Sequence, residues 1–177
     1  MATFTERLVG AAALNGAIYE EVERDRGATA QGAAIVLLGS VAAGLASAGV
    51  AALRPAAILT GALGGLVAWI SWAAVTYLIG TRVLPGPDTR ADLGELLRTL
   101  AFASTPGLLQ VVGIVPMLRW PSFAVTSIWM FVAMVVAVKH ALDYEHVGRA
   151  VAVCVLGWLL SIMIAVVIGV VFPTPVS

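Results

Sequence analysis

The sequence has few charged residues, and this shortage limits what the protein can be. Only 11% of its 177 residues are charged and 60% are hydrophobic, whereas soluble globular domains average about 25% charged and about 45–50% apolar residues. Lys and Arg equal Asp and Glu at 10 each, so the chain lacks the basic excess typical of proteins that bind nucleic acid. We therefore expect an integral membrane protein with no nucleic-acid partner.

Residues that usually carry chemistry are also scarce. The single cysteine, Cys154, can form no intramolecular disulfide and gives no information on redox compartment. No nucleophile lies at a recognisable spacing from a base, so we expect no catalytic residue, no enzyme activity and no cofactor. His140 and His146 share a polar connection with Asp143 and Glu145, but a solvated surface explains them better than a weak metal site.

Five apolar runs are long enough to cross a bilayer, whose hydrocarbon core requires about 20 helical residues. The predicted spans are residues 31–53, 56–80, 99–118, 122–138 and 150–172. Pro85, Gly86 and Pro87 mark a loop, after which Asp88 or Thr89 is a candidate cap for the third span's helix. Arg54–Pro55 and Arg119–Pro121 are predicted tight turns. The sequence predicts an all-α, polytopic membrane helical bundle over residues 28–177.

Residues 1–27 are predicted to form one amphipathic helix at the membrane interface. Thr3 and Glu6 have the spacing of a capping box, and apolar residues recur at helical intervals from Leu8 to Val22. The end of this helix is acidic and is either a solvated helix end or a docking patch for a cytoplasmic partner. The residues of this acidic cluster are Glu20, Glu21, Glu23 and Asp25.

The placement of basic residues predicts the orientation, because cytoplasmic loops are enriched in Lys and Arg. If all five runs cross, one side holds eight of these residues and the other holds only Arg54 and Arg119. A re-entrant hairpin around Pro106 gives seven against three instead. The count favours five spans with the N-terminus in the cytoplasm and the C-terminus outside.

Small residues recur at intervals of four along several spans, a pattern that lets membrane helices approach closely. We interpret them as packing contacts within the monomer, with self-association as the alternative. These helix-packing residues are Ser40, Gly44, Ala48, Gly61, Gly65, Gly157, Ser161, Ala165 and Gly169.

The third span contains LAFASTPGLLQ, residues 100–110, which combines a helix breaker with polar side chains. Pro106 removes one backbone hydrogen bond and clashes with the carbonyl four residues earlier, so it predicts a kink. Either this is a structural kink with an interhelical hydrogen bond, or its polar groups line a cavity or a neutral pore. The predicted residues are Ser104, Thr105, Pro106, Gly107 and Gln110, with Thr126 and Ser127 as further pore-lining candidates.

Four stretches resemble the bacterial members of the Yip1 family. They read YEEVERDRGATAQGA, GTR, LGELLRTLAFASTPGLLQVVGIVP and WMFVAMVVAVKHALDY ahead of GRAVAVCVLGW. The resemblance implies a five-span membrane domain with a cytoplasmic N-terminal region. Eukaryotic relatives are associated with Rab GTPases and membrane traffic, a role that a bacterial cell without a Rab cycle does not have. The resemblance therefore implies a fold and gives no activity.

These observations favour a non-enzymatic membrane protein of the bacterial cytoplasmic membrane. We expect it to act by helix association, as an accessory subunit of a membrane complex or as a membrane organiser. Its partners would be membrane lipids and either another membrane protein or a second copy of itself. The alternative is a channel, scramblase or transporter for a small solute or lipid that uses the broken third span.

Overall fold

The computed structural model describes residues 1–87, 89 and 91–171; within the last helix, the side chains at 165 and 167–171 lie outside the description. The described part is helical throughout and has no strand. Its α-helices are α1 (Phe4–Ala12), α2 (Gly16–Arg24), α3 (Ala28–Ala48), α4 (Pro55–Leu78), α5 (Leu93–Ala103), α6 (Arg119–Ala141) and α7 (Val147–Val171). Short 3-10 segments cover Gly49–Leu53, Thr105–Ile114 and Pro116–Leu118, and Ile79–Val83 is a π-helix.

Five helical segments are long and apolar enough to cross a membrane, which confirms the predicted bundle. They are Ala28–Leu53, Pro55–Val83, Leu93–Ile114, Pro116–Ala141 and Val147–Ile164. All five begin before the predicted residue, because the residues that precede each apolar run are already helical.

The N-terminal region forms two helices, so the prediction of one continuous helix is wrong. The capping box of Thr3 and Glu6 is present at the start of α1. The chain then turns at Leu14, which has a φ of +61°, and Asn15 caps α2 by accepting a hydrogen bond from the Ala17 N–H at 3.1 Å. Asparagine is a strong helix N-cap, and it restarts the helix here.

The third span crosses the bundle completely and is not a re-entrant hairpin. Near its start, a Cβ at Gly32 of α3 would lie 2.7 Å from the Cβ of Ala101 in α5. Near its end, a Cβ at Gly113 would lie 3.1 Å from the Cβ of Ala46. The third span therefore runs parallel to the first along most of its length.

The expected kink at Pro106 is a change of helix type. The α-helix ends at Ala103, and ten residues of 3-10 helix follow, with the proline in the first turn. The Gly107 N–H donates to the Ser104 carbonyl at 2.8 Å, three residues back. In an α-helix, the N–H of residue 106 would donate a hydrogen bond to the carbonyl of residue 102, but proline has no N–H. A 3-10 helix bonds residues that are three apart and does not require this bond.

Two smaller predictions about helix starts are wrong. The turn expected at Arg119–Pro121 lies earlier, around the 3-10 segment Pro116–Leu118, because proline is tolerated in the first turn of α6. Helix α5 is capped by Asp92 in a capping box with Glu95. Thr89 instead donates to the Leu142 carbonyl at 3.1 Å, and Asp88 lies outside the described residues.

The buried core lies at the end of the bundle that carries α1 and α2, here termed the capped end. Its largest fully buried side chains include Tyr19, Phe102, Leu96 and Leu142. By contrast, only 6% of the most apolar window of the second span is buried. The protein therefore has a tightly packed end, while much of α4 faces outward.

Candidate functional site: a cavity at the break in the third span

A cavity of about 630 Å³ lies among the five spans. Residues of α3, α4, the third span, α6 and α7 line it. On α3 the lining extends from Val36 to Ala43, in the middle of the first span, Ala28–Leu53. The volume is within the range of about 300–1,000 Å³ that small-molecule sites occupy.

The cavity opens sideways. Three of its lining residues are exposed, Ala68 and Ser71 on α4 and Ile164 on α7. Because the described lining residues of α3, α5 and α6 are at least partly buried, the mouth lies between α4 and α7. In a bilayer, such a mouth at mid-span faces the hydrocarbon.

The 3-10 segment directs polar groups into this cavity. Ser104, Gly107 and Gln110 all line it and are spaced by three residues. In a 3-10 helix, positions i and i+3 lie directly above one another, whereas in an α-helix they would be rotated apart. The change of helix type at the proline therefore places these three positions on one face.

The other two predicted residues of this motif lie behind the cavity wall. Pro106 and Thr105 are buried. The Thr105 hydroxyl donates to the Phe102 carbonyl at 2.6 Å, and the Ser104 hydroxyl donates to the Ala101 carbonyl at 2.6 Å. Both bonds supply partners for carbonyls at the point where the regular α-helical pattern ends.

Trp72 is a lining residue that the sequence analysis missed. Its indole Nε1 is fully buried and has no hydrogen-bond partner among the described residues. The neighbouring lining residue Trp69 differs, since its Nε1–H donates to the Leu97 carbonyl at 2.9 Å. The sequence signals an aromatic pair one turn apart, but only the tertiary structure shows which indole is unpaired.

The predicted packing residues have several environments. Gly65 allows α4 to approach Ser40, because an added Cβ would collide with the serine Oγ. Gly157 lies against the ring of Trp72, with 3.3 Å between its added Cβ and the indole. Ser161 lines the cavity and donates to the Gly157 carbonyl at 2.9 Å. These positions bring α3, α4 and α7 together around the cavity.

The remaining small residues do not join two spans in the described part. Gly44 faces Ala52 of the same span, and a Cβ added at Gly44 would lie 3.3 Å from the Cβ of Ala52. Ala48 is exposed, and Gly61 has open space around it. Ala165 and Gly169 lie outside the residues whose side chains are described. A close contact between α3 and α5 also involves Gly32, which the four-residue pattern did not select.

The acidic cluster is largely paired within the chain. Arg7, with 3% of its side chain exposed, contacts Glu21 and Asp25 at 2.8 Å each. Its hydrogen bonds hold the pKa of both carboxyls below the usual range. Glu20 lies 3.4 Å from Arg24 and 3.5 Å from the ring nitrogen of His140.

The fourth member of the cluster, Glu23, is half-buried. Its carbonyl accepts a hydrogen bond from Arg98 Nε at 3.0 Å. Burial, together with the charges of Glu95 and Asp143, raises the pKa of its carboxyl to about 7. The cluster thus fastens α2 to the rest of the capped end, and docking of a partner there stays a prediction.

No group of three His, Cys, Asp or Glu residues within the described part has a geometry that could hold a metal ion.

Comparison with known families matches residues 15–168 to the Yip1 domain. The chain belongs to the Yip1 family. The matched range starts at Asn15, the cap of α2, and extends into α7, so the whole described cavity lies inside the Yip1 domain. No curated protein and no solved structure matches the chain. Together with its five apolar helices, the Yip1 domain identifies an integral membrane protein that contacts lipids.

Proposed function

We propose that this Yip1 domain binds one amphiphilic molecule that enters its cavity sideways from the bilayer. The observation that carries the proposal is the cavity itself, with a mouth between α4 and α7 and a lining that is mostly apolar. The apolar walls suit a hydrocarbon chain.

Native mass spectrometry of the protein purified in mild detergent tests this proposal. We expect wild type to carry one lipid-sized adduct. Gly39 lines the cavity and has no atom within 4 Å of an added Cβ, so Gly39→Leu fills the space and should abolish the adduct. Gly64→Leu is the matched control, because Gly64 also has open space but does not line the cavity. A wild type without an adduct, or a Gly39→Leu variant that keeps it, would contradict the proposal.

Movement of the bound molecule across the membrane is a further step, which the sequence analysis raised as the channel or scramblase alternative. It would use the same cavity. A liposome flux assay that compares wild type with Gly39→Leu tests it. Flux in wild type that the variant loses would favour transport over binding alone.

Helix association is a second candidate function, and the outer face of α4 favours it. Gly61 and Gly64 lie on this face with nothing within 4 Å of an added Cβ. Small residues on an exposed membrane helix allow a second helix to pack closely. This surface suits the accessory-subunit or self-association role expected from the sequence.

Energy transfer between labelled copies in liposomes tests self-association. We expect transfer that rises with the protein-to-lipid ratio and falls in Gly61→Leu. Gly148→Leu is a suitable control, because Gly148 also has open space but lies on α7. A monomer at every ratio would exclude self-association and leave only a different partner.

The cytoplasmic N-terminus and the bacterial membrane likewise stay predictions, supported by the Lys and Arg count.

A further inference from the structure

We infer that α1 and α2 form a re-entrant hairpin whose tip, residues 12–16, lies among the acyl chains of the leaflet on the N-terminal side. The partner of this surface is the hydrocarbon of that leaflet. The inference goes beyond the proposed function, because it concerns the outer surface of residues 1–26 and does not depend on the cavity or its occupant.

A hydrogen bond to the middle of α6 places the tip at depth. The indole Nε1 of Trp129 donates to the Ala12 carbonyl at 2.8 Å. Trp129 lies ten residues from both Arg119 and Lys139, the charged residues near the two ends of α6. At a helical rise of about 1.5 Å per residue, it is about 15 Å from the level of each. An indole extends from its Cα by less than half of that distance, so the Ala12 carbonyl lies well inside the level of Lys139.

The contacts of α1 with two other spans show that this helix descends along the bundle. Near its middle, the Arg7 guanidinium donates to the Gln31 side chain at 3.1 Å, and Gln31 is in the first turn of α3. Helix α1 also contacts the 3-10 segment Thr105–Ile114, which begins just past the middle of the third span, Leu93–Ile114. Helix α1 therefore runs from the end of the first span towards the middle of the third and fourth.

The distribution of charge along the hairpin matches this descent. Residues 8–19, which include the tip, carry no charge. Three of their apolar side chains are exposed, Val9, Ala13 and Ala17, and Ile128, next to Trp129 on α6, is 68% exposed at the same level. The charged residues of the hairpin all lie at its opposite end, here termed the open end. They are Glu6, Arg7, Glu20, Glu21, Glu23, Arg24, Asp25 and Arg26.

The turn at the tip satisfies backbone polar groups within the protein, as hydrocarbon requires. Four of its N–H groups have an acceptor inside the hairpin, those of Ala13, Leu14, Asn15 and Ala17. The Ala12 carbonyl accepts from Trp129, and the Ala11 carbonyl accepts from the Tyr19 hydroxyl at 3.0 Å. A turn exposed to water would not need these partners, because water would supply them.

A re-entrant hairpin differs from the interfacial helix expected from the sequence. An interfacial helix lies in the plane of the membrane, with its apolar face buried about 5–10 Å, so both of its ends have the same depth. The hairpin instead has a deep tip and a shallow open end. Because it ends halfway across the bilayer, it displaces lipid from one leaflet only, which suits a membrane organiser.

Electron paramagnetic resonance of the spin-labelled full chain in liposomes tests the depth of the tip. The native Cys154 is buried and is replaced with alanine. Single labels are attached through Ala13→Cys at the tip, Arg24→Cys at the open end and Ile128→Cys as the reference for the middle of α6, all at exposed positions. Oxygen concentrates in hydrocarbon and a nickel chelate stays in water. We expect the ratio of oxygen to nickel collisions at position 13 to be several-fold higher than at position 24 and to approach that at position 128.

Reaction of the unlabelled cysteine variants with a water-soluble maleimide is a second measurement. In lipid nanodiscs, where both membrane faces are accessible, Arg24→Cys should react and Ala13→Cys should react only after denaturation. Equal collision ratios at positions 13 and 24 would overturn the inference and favour an interfacial hairpin. Rapid reaction of Ala13→Cys in nanodiscs would also overturn it, since the tip would then lie in water. Neither result would affect the proposal that the cavity binds an amphiphile.

Discussion

Replacing Gly32 with alanine tests a close contact between two spans. The added Cβ would lie 2.7 Å from the Cβ of Ala101, whereas ordinary van der Waals contact begins at 3.4 Å. The two groups are therefore at least 0.7 Å too close. The Ala101 methyl is attached directly to the backbone and is fully buried, so no rotamer change can relieve the contact. We expect α3 and α5 to separate, at a cost of about 1–3 kcal/mol.

Reversible unfolding in mixed detergent micelles measures this change in free energy. The control is Gly39→Ala on the same helix, which has open space around its added Cβ and gains the same helix propensity of about 1 kcal/mol. The difference between the two variants thus isolates the steric term. Ala101→Gly in the Gly32→Ala background removes the opposing methyl and should recover most of the loss.

A specific result would refute this reasoning. If Gly32→Ala is as stable as Gly39→Ala, the two spans do not approach as closely as described. If Ala101→Gly gives no recovery, the destabilisation arises somewhere other than this contact.

Three further predictions concern the capped end and the break in the third span. Arg7→Met leaves two carboxylates without their cation and should cost about 2 kcal/mol of unfolding free energy, less than the roughly 3–5 kcal/mol of a fully buried pair; unchanged stability would contradict the pairing. Because the folded-state pKa of Glu23 is raised to about 7, its protonation stabilises the fold at low pH, and this contribution is lost as pH rises from about 4.5 to about 7. Glu23→Gln should therefore raise the thermal midpoint at pH 8 more than at pH 5, and an equal change at both would contradict the assignment. Thr105→Val removes the hydroxyl bonded to the Phe102 carbonyl and should cost about 1 kcal/mol, more than Thr60→Val, whose hydroxyl bond is exposed; equal losses would contradict a special role at the break.

The five spans could be predicted because hydropathy and length do not depend on tertiary contacts. The capping box at Thr3 could also be predicted, since its spacing is local. The break between α1 and α2 could not, because the apolar pattern continues across it and a positive φ at Leu14 is unusual for that residue. The local signal was Asn15, whose capping preference was outweighed by the periodicity.

The site could be predicted only in part. The proline identified the place where the third span changes, but a kinked α-helix and a 3-10 helix differ in which side chains share a face. Gly32 was missed because small residues occupy many faces of these spans, so their spacing alone does not identify every close contact. Trp72 was missed because an unpaired indole is a property of its surroundings.

The most direct test of the account is a crystal structure of the wild-type protein grown from a lipidic mesophase. We predict elongated density that enters between α4 and α7 and extends into the cavity towards Gln110. A cavity that holds only ordered water would contradict the claim that this domain binds an amphiphile.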